Sequence, residues 1–586
     1  MIINKNKKDK KIMFNEIIKN LNLIFNKDQI LSFALISVLI VISMVLESLS
    51  IGLIFPILSL MVKGNAANND FFFSFLFEKV NFFAQDDKII FFLILFSIVY
   101  LLKILFLIFF QWYKGKFIWD THNHLSKKIF KKYLEQDLSF FKNNNIGKII
   151  RDVTTEISIF IGSGIGPTIN LISNIFILFG FIIIFLIIDF KITSILIIFV
   201  FTLTFLFNYS NIFFLKRWGL KRQINEGLRI SYLNQGVNSI KEAKLYGKEK
   251  WFLNKFDYYN QETFNSLRNY DFIKTLPRFF LETIILVFSV SIILVFFVDQ
   301  PLSEFVPFFA VLFVAFYRAI PIISQLLVSL QSITYAKPSY ELIIKSLNFK
   351  SENQITKLDL SPINFNKSIE IKNLSLSYND NQNFVLNNIN LEIKKGDKIG
   401  IVGESGAGKS TFLDCLMGLT KPTSGNILVD GKNIFSCIRE WQRKIGYVPQ
   451  SIYLIDDSIK KNIAFGEDDE VIDIRKINNC IKDTELFSLV NNLPNKENSI
   501  IGEKGTKISG GERQRIAIAR SLYISPELII FDEATSGLDL DTENKIIDSI
   551  NKLSNDKTII MVSHKMSSLK NCNKIYEIKE KNIHLT

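Results

Sequence analysis

Cysteine and histidine are scarce in this chain of 586 residues, which contains four of each. The cysteines, Cys415, Cys437, Cys480 and Cys572, show no metal-ligand spacing, and we expect reduced thiols in a cytosolic domain. Glycine and proline are also few, with 27 and 12 residues, whereas Phe, Ile, Asn and Lys are abundant. This bias is typical of an AT-rich genome, so the 55 phenylalanines are not interpreted as an aromatic binding site.

Apolar residues make up 48% of the chain and are unevenly distributed. Long Phe, Ile and Leu runs fill the first 340 or so residues, whereas the remainder is typical of a water-soluble α/β domain. The formal net charge of +13 could indicate a nucleic-acid partner. The basic residues, however, cluster between the apolar runs, as they do in cytoplasmic loops of membrane proteins, and we therefore expect no nucleic-acid partner.

Six apolar runs predict six membrane spans with both chain ends on the cytoplasmic side. The first run is far too long for a secretory signal peptide. Residues 71–83 form a short external apolar stretch, predicted as an interfacial helix or as a cap on the helix bundle. The runs cover approximately residues 30–61, 89–113, 158–188, 192–207, 279–298 and 305–327.

A phosphate-binding loop is predicted at residues 403–411, between an apolar strand and a helix. Glycines allow the backbone to wrap an anion, and the N-terminus of the helix presents free N–H groups to it. Lys409 is expected to reach the β- and γ-phosphates, and the Ser410 hydroxyl to bind Mg²⁺. The predicted nucleotide-binding residues of this loop are Gly403, Ser405, Gly406, Gly408, Lys409, Ser410 and Thr411.

Two consecutive carboxylates end a buried-strand pattern at residues 528–533. Asp532 is expected to hold Mg²⁺, and Glu533 to polarise the attacking water. A second anion site is predicted at Ser509, Gly510 and Gly511, which precede an amphipathic helix. Taken singly, each of these residues also has a purely structural interpretation, but together with the loop they indicate a nucleotide hydrolase.

These motifs, in this order, resemble the ATP-binding cassette family over residues 369–578. The resemblance implies ATP and Mg²⁺ as cofactors, Tyr378 as the aromatic residue that stacks on adenine, and His564 as the γ-phosphate sensor. It also implies that Gln450 contacts Mg²⁺ or the attacking water, and that the loop with Asp539 crosses to a partner subunit. The signature departs from the family at Ile508 and Glu512 but keeps Ser509, Gly510 and Gly511 intact.

Six spans before one cassette resemble an ABC exporter half-transporter. The implied fold is a six-helix all-α transmembrane domain followed by an α/β P-loop cassette. In this family the signature of one subunit completes the phosphate loop of another, so we expect a homodimer, with a heterodimer as the alternative. Residues 136–151 and 236–247 resemble the two coupling loops. The predicted parts are residues 1–28, a cytoplasmic amphipathic segment; 29–336, the transmembrane domain; 337–367, a linker; and 368–586, the cassette.

Three basic residues, Lys103, Arg278 and Arg318, lie in or at the ends of apolar spans, where charge is costly. One interpretation is structural pairing, with Glu282 four residues from Arg278 and Glu47 available to either arginine. The other is a cavity that binds an anionic head group such as a pyrophosphate, which suits the forked donors of arginine.

Short strings around residues 46–56, 277–282 and 316–321 resemble the PglK-type flippases, which move lipid-linked oligosaccharides across the bacterial inner membrane. The resemblance implies a multi-pass protein of the inner membrane, membrane lipid and a polyprenyl-pyrophosphate glycan as partners, and Lys103, Arg278 and Arg318 as head-group contacts. The alternatives are an exporter of peptide, drug or ordinary lipid, and an ATP-gated channel or regulator. Intact Glu533 and His564 argue against a channel, which needs little turnover.

Overall fold

The computed structural model divides the chain into two compact units, residues 1–136 with 143–351 and residues 137–142 with 352–586. Each unit is described separately. The described residues are 20, 22–53, 57, 85–188, 190–296, 302–349, 363–377, 384–502, 505–534, 557–563, 569–570 and 572–586. The external stretch 71–83 lies outside them.

The first unit is helical, and long helices carry the six predicted spans. The last of them continues past the predicted start of the linker at residue 337, because Tyr340, Ile343 and Leu347 turn buried side chains into the unit. Short helices α3 to α5 and α8 lie between the long ones. The helices up to residue 351 are α1 Lys27–Gly52, α2 Gln85–Leu134, α3 Leu138–Asn143, α4 Ile146–Arg151, α5 Ile157–Ile159, α6 Gly166–Ile188, α7 Phe190–Asn238, α8 Ile240–Leu245, α9 Glu249–Phe296 and α10 Leu302–Leu347. All but α3 belong to the first unit, since residues 137–142 belong to the second.

Four helical segments among the described residues are long and apolar enough to cross a membrane. They are Lys27–Ser50, Ile89–Leu134, Ile146–Ile183 and Ala319–Leu347. With the long helices α7 and α9, the number of long helices agrees with the six-helix transmembrane domain predicted from the sequence.

A buried polar network lies where the helix between Ile146 and Ile188 changes to π-helical turns, at Asp152–Glu156 and Phe160–Ile165. Glu156 has no exposed surface and accepts hydrogen bonds from Arg222 at 3.0 and 2.9 Å. Gln223 and Ser339 donate to the same carboxylate at 3.0 and 2.6 Å. A buried carboxylate requires such partners. Because the donors lie on α7 and α10, the network joins these helices to the π-helical turns.

The second unit contains two sheets. A four-stranded antiparallel sheet has the order β2-β1-β4-β5, and a six-stranded, mainly parallel sheet has the order β10-β9-β3-β8-β7-β6. Strands β7 and β8 are buried along their whole length, as parallel strands covered on both faces are. The strands are β1 Ser368–Leu376, β2 Leu386–Lys394, β3 Lys398–Val402, β4 Ser424–Val429, β5 Lys432–Asn433, β6 Ile445–Val448, β7 Leu528–Asp532, β8 Thr558–Val562, β9 Lys574–Lys579 and β10 Asn582–Leu585.

Helices pack on both faces of the parallel sheet around two hydrophobic clusters. The first cluster includes Phe412 and Trp441, and the second includes Ile516 and Phe531. The predicted strands at residues 369, 398 and 528 and the helices after residues 409 and 510 are confirmed. The helices are α11 Lys409–Leu416, α12 Ile438–Gln442, α13 Ile459–Ile463, α14 Ile474–Asp483, α15 Phe487–Asn492 and α16 Gly510–Tyr523.

Candidate nucleotide site

The phosphate-binding loop connects β3 to α11 and has the backbone that its glycines allow. Gly403 and Gly408 have φ angles of 154° and 102°, which side-chain-bearing residues rarely adopt. A Cβ atom on Gly403 would also lie 2.7 Å from the carbonyl oxygen of Ile578. Glycine is therefore required at this turn, and the loop backbone stays open to an anion. Ser405, Gly406 and Ser410 are exposed at its surface.

Lys409, the first residue of α11, folds back over the loop. Its Nζ donates to the carbonyl oxygens of Gly403 at 2.7 Å and Glu404 at 3.0 Å. Burial lowers the pKa of Lys409, while the charges of Glu533 and Asp532 act in the opposite direction. The ammonium group therefore lies on the loop and within the field of the two carboxylates, on the side where a phosphate chain needs a cation.

The order of the parallel sheet places the loop and the two acids at one edge. Strand β8 lies between β3 and β7, and Val562 of β8 is in register with Ile401 on one side and Asp532 on the other. Because the three strands are parallel, their carboxyl ends meet at the same edge, where α/β proteins bind ligands. Strand β6 pairs with β7 and brings the segment that ends at Gln450 to this edge.

Asp532 is nearly buried, with 7% of its surface exposed. The phenol of Tyr447 on β6 donates to its Oδ2 atom at 3.2 Å. Burial raises the pKa of Asp532, as do the charges of Glu533 and Asp414, whereas the Tyr447 hydrogen bond and Lys409 lower it. A bound cation would offset this cost of charge, as expected for a metal ligand.

Glu533 has a left-handed backbone, with φ of 50°, and its N–H donates to the Val562 carbonyl at 3.0 Å. The side-chain amide of Gln450 donates to Oε2 of Glu533 at 2.6 Å. Non-glycine residues in this conformation often occur at functional sites. The two consecutive carboxylates at the end of β7 thus have different partners, Tyr447 for Asp532 and Gln450 for Glu533.

The donor set fits Mg²⁺. Ser410, Asp532 and Gln450 offer a hydroxyl, a carboxylate and an amide oxygen, and Mg²⁺ prefers oxygen ligands and uses few from the protein when it binds substrate phosphates. No group of three or more His, Cys, Asp or Glu residues that could hold a metal ion occurs among the described residues. The ion would therefore be held jointly by the protein, the nucleotide and water, and it would neutralise charge on the phosphates.

The signature segment begins α16 with a capping box. Ser509 Oγ accepts from the backbone N–H of Glu512 at 3.3 Å, and the Glu512 carboxylate accepts from the backbone N–H of Ser509 at 2.7 Å. The Glu512 that departs from the family pattern thus has a structural role. Gly510 and Gly511 occupy the first turn, where unpaired N–H groups favour an anion.

Three predicted site residues, Tyr378, Asp539 and His564, lie outside the described residues. Their roles remain predictions, as does the role of Arg318, whose side chain is not described.

Of the three basic residues predicted to contact cargo, the two with described side chains, Lys103 and Arg278, each form an ion pair. Lys103 is buried, forms an ion pair with Glu47 and donates to the Ser50 hydroxyl at 3.3 Å. Arg278 pairs with Glu282 at 2.7 Å, as the structural interpretation expected. Glu47, considered from the sequence as available to either arginine, pairs instead with Lys103, which also donates to Ser50 of the same helix as Glu47.

Sequence reasoning did not single out Tyr447, Asp414 or Lys142. Lys142 of α3 pairs with Asp414 of α11 at 2.9 Å, both in the second unit. Tyr447 lies in a strand-like pattern three residues before Gln450. Because successive strand residues point to opposite faces of a sheet, this pattern could have placed Tyr447 on the face opposite to Val448, which is the face that carries Asp532. The helical pattern after the loop could have placed Asp414 on α11. Nothing in the neighbouring sequence indicates that its partner is Lys142, 272 positions away.

Two family models match the chain. The model described as ABC transporter transmembrane region matches residues 38–320, and the model described as ABC transporter matches residues 386–536. Together they match most of the chain, one in each unit.

Curated relatives align over part of the chain. The alpha-hemolysin translocation ATP-binding protein HlyB of Escherichia coli O157:H7 is 41% identical over 208 residues, which is 35% of this chain and 29% of that protein. The leukotoxin translocation ATP-binding protein LktB of Mannheimia glucosida is 39% identical over 230 residues, 39% of this chain and 32% of that protein. The matched region thus spans about a third of the length of these relatives.

The fold is that of a solved exporter. A structure entitled a bacterial Atm1-family ABC exporter with ATP bound has a TM-score of 0.73 and 19% sequence identity, and the match covers 92% of this chain and 94% of that one. At this identity the likeness concerns the fold alone. It agrees with the predicted helical transmembrane domain followed by a cassette.

Proposed function

The chain belongs to the ABC transporter family as an exporter half-transporter, and we propose that two copies of it form an ATP-driven transporter of the bacterial inner membrane. The observation that carries the proposal is the edge where the phosphate loop, Asp532, Glu533 and Gln450 converge. A nucleotide bound there would have its phosphates near Lys409 and its attacking water near Glu533.

Hydrolysis needs a charge-compensated phosphate, an activated water and a closed site. Lys409 and Mg²⁺ would supply the charge, and Glu533, oriented by Gln450, would accept the proton of the water. Ser509, Gly510 and Gly511 of the second copy would close the site. This requirement supports the homodimer, since one chain contains one loop and one signature; a second, different half-transporter is the alternative partner.

Two features support coupling of the cassette to the membrane helices. Helix α3, in the predicted first coupling loop, groups with the second unit, where Lys142 pairs with Asp414 directly after the phosphate loop. Helix α8, in the second coupling loop, leaves Ile240 and Leu245 exposed by 49% and 74%. Exposed apolar side chains on a short connecting helix suit a protein contact, which we assign to the partner's cassette. ATP would drive export to the extent that it binds the closed dimer more tightly than the open one.

For the cargo we propose a lipid-linked oligosaccharide with a polyprenyl-pyrophosphate anchor. Arg278 supports this choice, because its side chain is 72% exposed and its pairing with Glu282 is an exposed contact that a pyrophosphate can replace. Lys103 supports it less well, since its charge is already compensated by Glu47 inside the helix bundle. Arg318 would be the third head-group contact.

A polypeptide is the second candidate cargo. The observation that favours it is the set of relatives, whose names describe translocation of alpha-hemolysin and leukotoxin. Those names describe other proteins, and the matched region spans about a third of their length.

Reconstitution in liposomes separates the candidates. ATP-dependent movement of a fluorescent polyprenyl-pyrophosphate glycan supports the first cargo, and ATP-dependent loss of an encapsulated unfolded polypeptide supports the second. Efflux of amphiphilic drugs would indicate the drug exporter, and passive ion current without turnover would contradict transport altogether. Replacing Arg278 and Arg318 together by glutamine should abolish glycan movement and leave basal ATPase activity intact. Unchanged movement in that variant would remove both arginines from cargo binding.

A further inference from the structure

Two donors on one stretch of chain face the two consecutive carboxylates. Tyr447 donates to Asp532 at 3.2 Å, and Gln450, three residues later, donates to Glu533 at 2.6 Å. The family resemblance covers Gln450 but assigns no role to Tyr447. Among the described residues, the phenol of Tyr447 is the one group recorded as a hydrogen-bond donor to the Asp532 side chain.

The sheet fixes this contact geometrically. Tyr447 is in register with Ile530, and Ile530 and Asp532 point to the same face because they lie two residues apart on β7. Asp532 is therefore a diagonal neighbour of Tyr447, at a spacing that an aromatic side chain can bridge. The Tyr447 ring packs against the first hydrophobic cluster, so the hydroxyl is held at the end of a fixed ring.

The contact has a chemical consequence at the metal. A carboxylate that holds a cation with one oxygen is best oriented when a donor fixes its other oxygen, and such outer-shell donors commonly decide metal affinity. Tyr447 contacts Oδ2, which leaves Oδ1 for the ion or for a water bound to it. Asp532 is nearly buried, with 7% of its surface exposed, so little solvent is available to replace the phenol.

We propose that Tyr447 is a positioning residue for the Mg²⁺ of the nucleotide site and acts by orienting the carboxylate of Asp532. The inference rests on the proposed function, because it requires that the site binds a metal nucleotide. It predicts that loss of the Tyr447 hydroxyl lowers the affinity for the metal ion and leaves the affinity for the nucleotide unchanged.

The test uses the full-length chain with the Glu533→Gln substitution, so that ATP stays intact, and Mn²⁺ as a spectroscopic probe. Free Mn²⁺ is measured by electron paramagnetic resonance during titration in the presence of ATP. Tyr447→Phe should weaken Mn²⁺ binding by about 10- to 100-fold, the usual effect of losing an outer-shell partner. ATP binding measured in EDTA should not change.

Tyr576→Phe is the matched control, because Tyr576 packs against the same cluster from β9 and its loss of a hydroxyl should leave Mn²⁺ binding unchanged. In an Asp532→Asn background, Tyr447→Phe should cause no further loss of Mn²⁺ binding, whereas a general packing role would produce the same loss in both backgrounds. If Tyr447→Phe leaves the Mn²⁺ affinity unchanged, or lowers it equally in both backgrounds, the inference is wrong while the proposed function stands. Failure of the parent chain to bind ATP would overturn the proposed function with it.

Discussion

The side-chain amide of Gln450 lies 2.6 Å from Oε2 of Glu533, so the residue expected to contact Mg²⁺ or the attacking water directly contacts the residue expected to activate that water. Glu533 extends from a left-handed backbone position at the end of β7. The contact holds the carboxylate of Glu533 in place at the strand exit, and a carboxylate so oriented can act as a general base toward water.

Replacement of Glu533 by glutamine should therefore preserve ATP binding and stop hydrolysis. The loss of a general base typically lowers turnover by about 10²- to 10⁴-fold. The measurement is phosphate release together with retention of labelled ATP. Glu370→Gln on β1 serves as the control, since this carboxylate pairs with Lys372 in the other sheet. Normal turnover in Glu533→Gln would exclude Glu533 as the base.

The ion pair of Lys142 with Asp414 should contribute to coupling. Lys142→Met leaves a nearly buried carboxylate without its cation, and we expect a lower ratio of cargo-stimulated to basal ATPase activity. Because the Lys142 side chain is 48% exposed, the decrease should not exceed about fivefold, equivalent to about 1 kcal/mol. Lys131→Met is the control, since that lysine is 65% exposed and lies 3.9 Å from Glu135. Equal ratios in the two variants would contradict a coupling role for the Lys142 pair.

The pair of Arg222 with Glu156 should dominate the stability of the helical unit. Arg222→Met removes both guanidinium hydrogen bonds from the fully buried Glu156 and leaves Arg151, 3.9 Å away, as its remaining cation. Removing one partner of a buried ion pair typically costs about 3–5 kcal/mol. Thermal unfolding in detergent should show a large decrease in midpoint for this variant. The double variant Arg222→Met with Glu156→Met should be less damaging, because it buries no unpaired charge. If the double variant unfolds at the same temperature as the single one, desolvated charge is not the cause.

Three cysteine thiols should react slowly in the folded chain. Burial raises the pKa of Cys415 to about 12, with a further contribution from the charge of Asp414, and raises the pKa values of Cys480 and Cys572 to about 11. Since the thiolate is the reactive form, alkylation of Cys480 and Cys572 by iodoacetamide at neutral pH should be roughly 100-fold slower than in the unfolded chain. The rates should rise with pH up to these pKa values. Mass spectrometry of each alkylated peptide provides the measurement, and equal rates before and after unfolding would contradict the burial.

The elements around the nucleotide site were predictable because their information is local. A glycine-rich turn between a strand and a helix, and an apolar run that ends in two acids, each specify their own backbone, as at Gly403 and Asp532. Parallel pairing then brings the strand ends together by a general rule of sheets.

The side-chain partners were less predictable because they depend on distant parts of the chain. Periodicity indicates that Lys103 lies in a span, but only helix packing decides that Glu47 pairs with Lys103 and not with an arginine. Arg222 and Glu156 lie 66 positions apart, and the π-helical turns beside Glu156 have no local sequence pattern that we recognised. A correct contact map is needed before such pairs can be assigned.

Helix α7 runs unbroken from Phe190 to Asn238, 49 residues. At 1.5 Å per residue it is about 74 Å long, whereas the hydrocarbon layer is about 30 Å thick. If the helix pivots at the membrane boundary, a tilt of about 10° moves the end of its roughly 44 Å outside the layer by about 8 Å. A small rotation of the membrane-embedded part of such a helix therefore displaces its other end by more than the length of an ion pair. Contacts at that end have to break and re-form when the helix rotates.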